Sequence, residues 1–307
     1  MAAPLHGKIG LALGSGAARG WAHVGVVRGL REAGIEPDLV CGSSIGAVVG
    51  AAYAAQLFDE FERWVRRLDW RQIVGYFDLS LRGGLIKARR VFTTLAEAMP
   101  DRAIEDLPVP FAAVATDLAT GREVWLREGS LHDALRASVA LPGLVTPARR
   151  DGRWLVDGGL VNPVPISVCR ALGADSVIAV DLNTALVGRR LRPHRPVDAT
   201  RATGERGFQT AVQEMIAEVR ARLARGDDGA EEKEDVPSIY EVITSSINVM
   251  QERISRSRMA GDPPEMLIAP RLADFSLLDF DRAGEAIEEG VAAAKRARPV
   301  LEHLLGA

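Results

Sequence analysis

Three short clusters in this chain hold residue types able to do chemistry together. Gly42-Ser43-Ser44-Ile45-Gly46 fits a G-x-S-x-G pattern between an apolar run and a helical one. In that setting the flanking glycines Gly42 and Gly46 take Cβ atoms out of a sharp strand-to-helix turn. The Ser44 hydroxyl is left at a helix N-terminus, where the helix dipole favours the alkoxide formed during nucleophilic attack. The same residues also suit a small-residue turn that only tightens strand–helix packing. A second cluster, Gly14-Ser15-Gly16-Ala17-Ala18-Arg19-Gly20, again lies between a strand pattern and a helix pattern, and its amides would bind an anion. A dinucleotide fingerprint would need an acid at the end of the second strand; here Cys41-Gly42-Ser43-Ser44 stands there and Asp38 lies at its beginning. Parallel strands bring their C-terminal ends to one edge, so the loop and Ser44 should share a crevice. The amides of Gly16 and Ala17 would then hold the oxyanion made by attack of Ser44, an interaction often worth about 3 kcal/mol per donor.

A serine nucleophile needs a base, and the five histidines suit the part badly. His6 precedes the first strand, His23 is inside the first helix, His132 begins a helix, His194 lies in an arginine-rich stretch and His303 is near the chain end. Each reads as structural or solvated. An α/β-hydrolase places its elbow after several strands, whereas Ser44 has room for two before it, so a different fold is expected. The remaining candidate is Asp157, in Trp154-Leu155-Val156-Asp157-Gly158-Gly159, where an aspartate closes an apolar run and enters a glycine turn. Alone it equally suits an Asx-turn. As a base of ordinary acidity, near 4, it would stay ionised through neutral pH, whereas a histidine base would lose activity as pH falls through about 6.5.

The elements that must position these residues alternate between strand and helix. Apolar runs at Ile9-Leu13, Asp38-Cys41, Phe111-Thr116 and Ser176-Asp181 read as buried strands. Helical periodicity covers Trp21-Ala33, Ile45-Ala55, Phe58-Leu68, Pro165-Leu172 and Asp281-Leu305. This predicts one α/β domain over 1–307 with a mostly parallel central sheet flanked by helices. Between 188 and 236 the composition turns polar: six arginines from Arg189 to Arg206, a polar helix over Phe208-Leu223, and six acids in Gly226-Asp235. That predicts a charged surface insertion with a disordered tip, whose deletion should leave activity unchanged.

Composition narrows the function classes. With 38 basic and 41 acidic residues the net charge is −3, which disfavours a nucleic-acid role. Two cysteines, Cys41 and Cys169, in apolar surroundings exclude a disulfide scaffold and a cysteine-based zinc site, and suit a reducing, cytoplasmic setting. Neither a secretion signal nor a spanning segment is expected, and peripheral contact with a membrane stays open because it needs only an apolar or amphipathic patch.

The three clusters, in this order and spacing, resemble the signature blocks of the patatin-like phospholipases, most of all their compact bacterial members. The resemblance runs from about Lys8 to Asp181, includes Arg136-Ala137-Ser138 and Leu141-Pro142-Gly143, and resumes at Met259-Ala260-Gly261-Asp262-Pro263-Pro264. It implies a patatin-like three-layer architecture and a Ser44–Asp157 dyad without a catalytic histidine. It also implies an oxyanion hole from Gly14, Gly16 and Ala17, an elbow at Gly42 and Gly46, a dyad turn at Gly158 and Gly159, and supporting residues Arg19, Gly20 and Arg136. The implied reaction is hydrolysis of a lipid or acyl ester through an acyl-enzyme, with no metal and no cofactor. One departure stands out: the family's Gly-Gly-Gly run is Ser15-Gly16-Ala17 here, so Ala17 must reach a backbone angle unusual for a residue with a Cβ. Tyr76-Lys87, apolar with a glycine pair, reads equally as a lid or as a packed connector. The rival reading is a regulatory or adaptor protein that retains the fold, suggested by the altered loop and the charged insertion.

Overall fold

The computed structural model describes residues 7–68, 89–184, 239–277 and 279–305. The segment Tyr76-Lys87, the insertion at 188–236, His6 and His194 lie outside the described residues.

An eight-stranded sheet organises the chain. Its centre is β1 (Ile9–Leu13), flanked in parallel by β2 (Leu39–Ser43) and β7 (Ser176–Val180). β3 (Phe111–Asp117) pairs in parallel with β2, and β8 (Met266–Ile268) with β7. Three antiparallel pairings complete it: β4 (Glu123–Leu126) on β3, β6 (Arg153–Asp157) on β3, and β5 (Ala148–Arg150) on β6. β3 meets β2 through Phe111 to Val114 and β6 through Ala115 to Asp117, while β4 pairs with Ala113 to Thr116. β2 and β6 therefore share one edge of β3, end to end. That stacking carries the last residue of β6, Asp157, to the end of β2, where Ser44 follows.

Helices cover both faces, because side chains of successive strand residues alternate. Leu11, Leu13, Val40, Ala113, Ile178 and Val180 enter one core, and Ala12, Cys41, Ala112, Val114, Val177 and Ala179 the other. The first core takes α1 (Trp21–Glu32), α2 (Ile45–Ala54), α3 (Phe58–Arg67), α4 (Arg89–Ala98), α5 (Leu131–Ser138) and the long α8 (Ala283–Leu305). The second takes α6 (Ile166–Ala171). α7 (Ile239–Gly261) reaches the turn after β6, and no sequence signal had placed it there. Among the described residues no helix is long and apolar enough to cross a membrane.

Candidate active site

The elbow forms where β2 turns into α2. Ser44 sits at φ 57°, ψ −127°, a backbone state costing a residue with a Cβ on the order of 1–3 kcal/mol, and the surroundings hold it there. The flanking glycines permit the close approach: a Cβ on Gly42 would overlap the Ala47 backbone, and one on Gly46 would strike the carbonyls of Leu13 and Gly14. Ser44 N–H donates to Ser138 Oγ at 2.9 Å, so the end of α5 anchors the Ser44 amide. Ser138 is fully buried, and only its place in the family resemblance hinted at it.

Asp157 is bound from every side. Its N–H donates to the Ala140 carbonyl at 3.0 Å, and its carbonyl accepts from Thr116 Oγ1 at 2.8 Å. Its Oδ1 accepts the Gly159 N–H at 2.7 Å, the turn that Gly158 and Gly159 were expected to make, and its Oδ2 accepts the Ser44 hydroxyl at 2.5 Å. Burial raises its pKa from 3.8 to about 6, against the lowering effect of the Ser44 and Gly159 hydrogen bonds. This corrects the expectation of an ordinary carboxylate near 4. An acid limb near pH 6 is what Asp157 itself should produce, so the pH profile alone does not separate it from a histidine.

Among the described residues no histidine is hydrogen-bonded to Ser44 or to the Asp157 carboxylate. His23 is buried and bonded through Nε2 to the Gly14 carbonyl at 2.7 Å; burial, opposed by that bond, lowers it to about 4 and keeps it neutral at pH 7. His132 bonds the Met99 carbonyl at 2.8 Å, and His303 is exposed on the last turns of α8.

The glycine-rich loop leaves β1 beside the elbow, and Gly20 starts α1 against Ile45. One expectation is corrected here. Gly14 is not an available oxyanion donor, because its N–H bonds the Val180 carbonyl at 3.0 Å in continuation of the β1–β7 ladder. Ser15 N–H is likewise taken by the Pro163 carbonyl at 2.8 Å. Gly16 and Ala17 have N–H groups without an acceptor among the described residues. Ala17 adopts φ 48°, the left-handed angle that its Cβ disfavours, so the departure from glycine is accommodated at a cost.

Arg19 holds that geometry. It is 1% exposed, and both its backbone N–H (3.2 Å) and its Nε (3.3 Å) donate to the Gly16 carbonyl. In a trans peptide the carbonyl and the following N–H point opposite ways, so gripping Gly16 O aims the Ala17 N–H away from Arg19. Its Nη2 donates to Asn248 of α7 at 2.9 Å. Burial lowers the guanidinium to about 10, with Asp181 and Asp279 opposing the shift, so it stays charged at neutral pH. Ser15, the other departure, is met by polar partners: its Oγ accepts from Gln251 at 3.2 Å and its carbonyl from Asn183 at 3.2 Å. Asn183, Asn248 and Gln251 carried no motif; Asn183 alone had a usable signal, lying just past the C-terminal end of a parallel strand.

Arg136 is a second correction. Its side chain is 42% exposed and pairs with Asp133 at 3.4 Å on α5, at a surface cavity rather than at the dyad. Helical spacing explains this, since Arg136 precedes Ser138 by two positions, about 200° around the helix, and so lies on another face. Among the described residues no group of three or more His, Cys, Asp or Glu could hold a metal ion.

The arrangement is a short-bonded hydroxyl–carboxylate pair at a helix N-terminus, beside two amides with no acceptor among the described residues. Residues 11–170 match the family model of the patatin-like phospholipases. The chain is 35% identical to an uncharacterized NTE family protein of Mycobacterium tuberculosis, over 96% of this chain and 92% of that one. It is 38% identical to lysophospholipase NTE1 of Mycosarcoma maydis over 58% of this chain and 10% of that one. Patatin-like phospholipase domain-containing protein 6 of Homo sapiens is 35% identical over 57% and 13%. In fold, the chain is similar to VipD from Legionella pneumophila, with TM-score 0.50, 14% identity, and coverage of 97% of this chain and 68% of that one.

Proposed function

Because the chain belongs to the patatin-like phospholipase family, a family of lipid hydrolases, we propose that it is a serine acyl-hydrolase of lipid esters working through Ser44 and Asp157. The observation that carries the reading is the 2.5 Å hydrogen bond from Ser44 Oγ to the buried Asp157 carboxylate. As Ser44 Oγ attacks the ester carbonyl, Asp157 takes its proton. A carboxylate near 6 is a better base than one near 4 and is still mostly ionised at pH 7. The N–H groups of Gly16 and Ala17 stabilise the oxyanion, with the Gly16–Ala17 peptide plane held by Arg19. The tetrahedral intermediate collapses as protonated Asp157 gives its proton to the departing alkoxide, leaving Ser44 acylated. Water, deprotonated by Asp157, then attacks the acyl-enzyme, and Ser44 leaves with that proton as the carboxylic acid is released. Apart from the ester and the attacking water, each step uses groups of this chain.

The test is reaction with a fluorophosphonate, which labels an activated serine. Labelling should map to Ser44 and disappear in Ser44→Ala. A folded protein that takes no label and cleaves no ester in a panel of short and long acyl chains would contradict the reading and favour a regulatory role for the fold.

A further inference from the structure

Aromatic and cationic side chains gather at one rim of the sheet outside the dyad. The β5–β6 hairpin reads Ala148-Arg149-Arg150-Asp151-Gly152-Arg153-Trp154, and the turn between β3 and β4 runs from Leu118 to Arg122. Trp154 is 51% and Leu118 54% exposed, although each is large and apolar. They are neighbours, since Leu118 N–H donates to the Trp154 carbonyl at 2.9 Å. Arg149 is the register partner of Trp154, with its guanidinium 5.8 Å from the ring centroid. These two segments hold Arg122, Arg149, Arg150 and Arg153 with Asp151, in a chain whose net charge is −3; of the acids that bound the β3–β4 turn, Asp117 Oδ1 accepts the Ala119 and Thr120 N–H groups and Glu123 pairs with Arg258 at 2.9 Å. Arg149 and Arg150, with Arg136, also line a surface cavity of about 250 Å³. The acids facing it are already engaged: Asp133 pairs with Arg136 at 3.4 Å, and Asp151 lies 3.8 Å from Arg150. Arg149 and Arg153 have no carboxylate partner among the described residues, and Arg150 Nη1 is buried without a hydrogen-bond partner there.

We propose that this rim docks the protein on a bilayer containing anionic phospholipid, with Trp154 and Leu118 entering the headgroup boundary and Arg149 and Arg153 binding lipid phosphates. A tryptophan suits the place where one end of a side chain is apolar and the other wet, and arginine binds phosphate oxygens through two donors at once. The apolar groups stand on hairpins rather than lining a groove, which fits insertion into a fluid surface better than capture of a folded partner. Position agrees as well: Trp154 and Asp157 lie three residues apart on β6, about 10 Å along a strand, so docking would bring the dyad close to the lipid. The choice of a lipid partner rests on the hydrolase reading of Ser44 and Asp157.

Sedimentation with vesicles tests it, using Ser44→Ala protein so that no lipid is consumed. Vesicles of phosphatidylcholine with about one third phosphatidylglycerol should bind roughly tenfold better than phosphatidylcholine alone, and salt should erase the difference. The exposed-site double variant Arg149→Ser/Arg153→Ser should weaken binding by about tenfold or more, and Trp154→Ala should weaken it in a salt-independent way. In the active background both variants should keep hydrolysis of a soluble short-chain ester within about twofold while losing hydrolysis of vesicle lipid. Unchanged vesicle binding by the double arginine variant, or no preference for anionic vesicles, would overturn the docking surface. Vesicle binding as expected by a chain that hydrolyses no ester would instead overturn the hydrolase reading and leave the surface standing.

Discussion

Two turns at the same edge of the sheet place a residue bearing a Cβ in left-handed backbone: Ser44 after β2 at φ 57°, and Ala17 after β1 at φ 48°. They are held in different ways. The elbow around Ser44 is shaped mainly by its own neighbours, Gly42 and Gly46, with Ser138 and Asp157 added from one segment of the chain. The loop around Ala17 is braced from far along the chain: Arg19 by Asn248, and Ser15 by Asn183 and Gln251. The elbow is thus a local motif, whereas the loop is a tertiary construction. Damage to the first should remove the chemistry, and damage to the braces of the second should detune it.

The largest effect should come from the elbow pair. Ser44→Ala and Asp157→Asn should each lower kcat/KM by about 10³-fold or more, and the double variant should be little worse than either, because the two groups act as one unit. Stability should move the other way. Burial raises Asp157 from 3.8 to about 6 in the folded state, so the native chain is favoured with this group protonated. That advantage is complete below about 4 and is lost as pH rises through 6. Asp157→Asn should therefore melt higher than the native protein at pH 8, by on the order of 3 kcal/mol, with the gap closing toward pH 4. Equal melting curves at pH 8 would show that the carboxylate is not buried as described.

Next in size are the groups that position others. Ser138→Ala leaves the Ser44 amide without its buried acceptor, a loss of about 1–3 kcal/mol by denaturant titration, together with a drop of about tenfold in kcat. Arg19→Lys keeps the charge near Asp181 but loses the Nε grip on Gly16. The expected loss is roughly tenfold, in kcat rather than KM, because the oxyanion forms only on the way to the transition state. A pure KM effect would assign Arg19 to substrate binding instead. The smallest change should be Ala17→Gly, where relief of the disfavoured angle is offset by a freer unfolded chain, leaving melting within a few degrees and activity within about threefold.

The same contrast explains what the amino-acid sequence disclosed. β1, β2, β3 and β7 are buried on both faces and read as continuous apolar runs, and the site residues that follow strand ends, Ser44 and Asp157, stand in recognisable glycine settings. β4 and β5 are short and partly exposed, Glu123–Leu126 and Ala148–Arg150, and have too few residues to show a period. Gln251 and Asn248 are ordinary polar residues of a long amphipathic helix, and nothing in their spacing says that one face of α7 meets the loop after β1. Ser15 and Ala17 looked like defects in a glycine run; the structure supplies polar neighbours for the first and a strained but occupied angle for the second.

The dyad is tested most directly by the pH dependence of fluorophosphonate labelling at Ser44, followed from pH 4.5 to pH 8 in the native chain and in His23→Gln, His132→Ala and His303→Ala. The rate should fall along a single acid limb with an apparent pKa of about 6, the limb should persist in all three histidine variants, and Asp157→Asn should abolish labelling at every pH. A limb that vanishes in one histidine variant, or full labelling of Asp157→Asn, would contradict the assignment of Asp157 as the base.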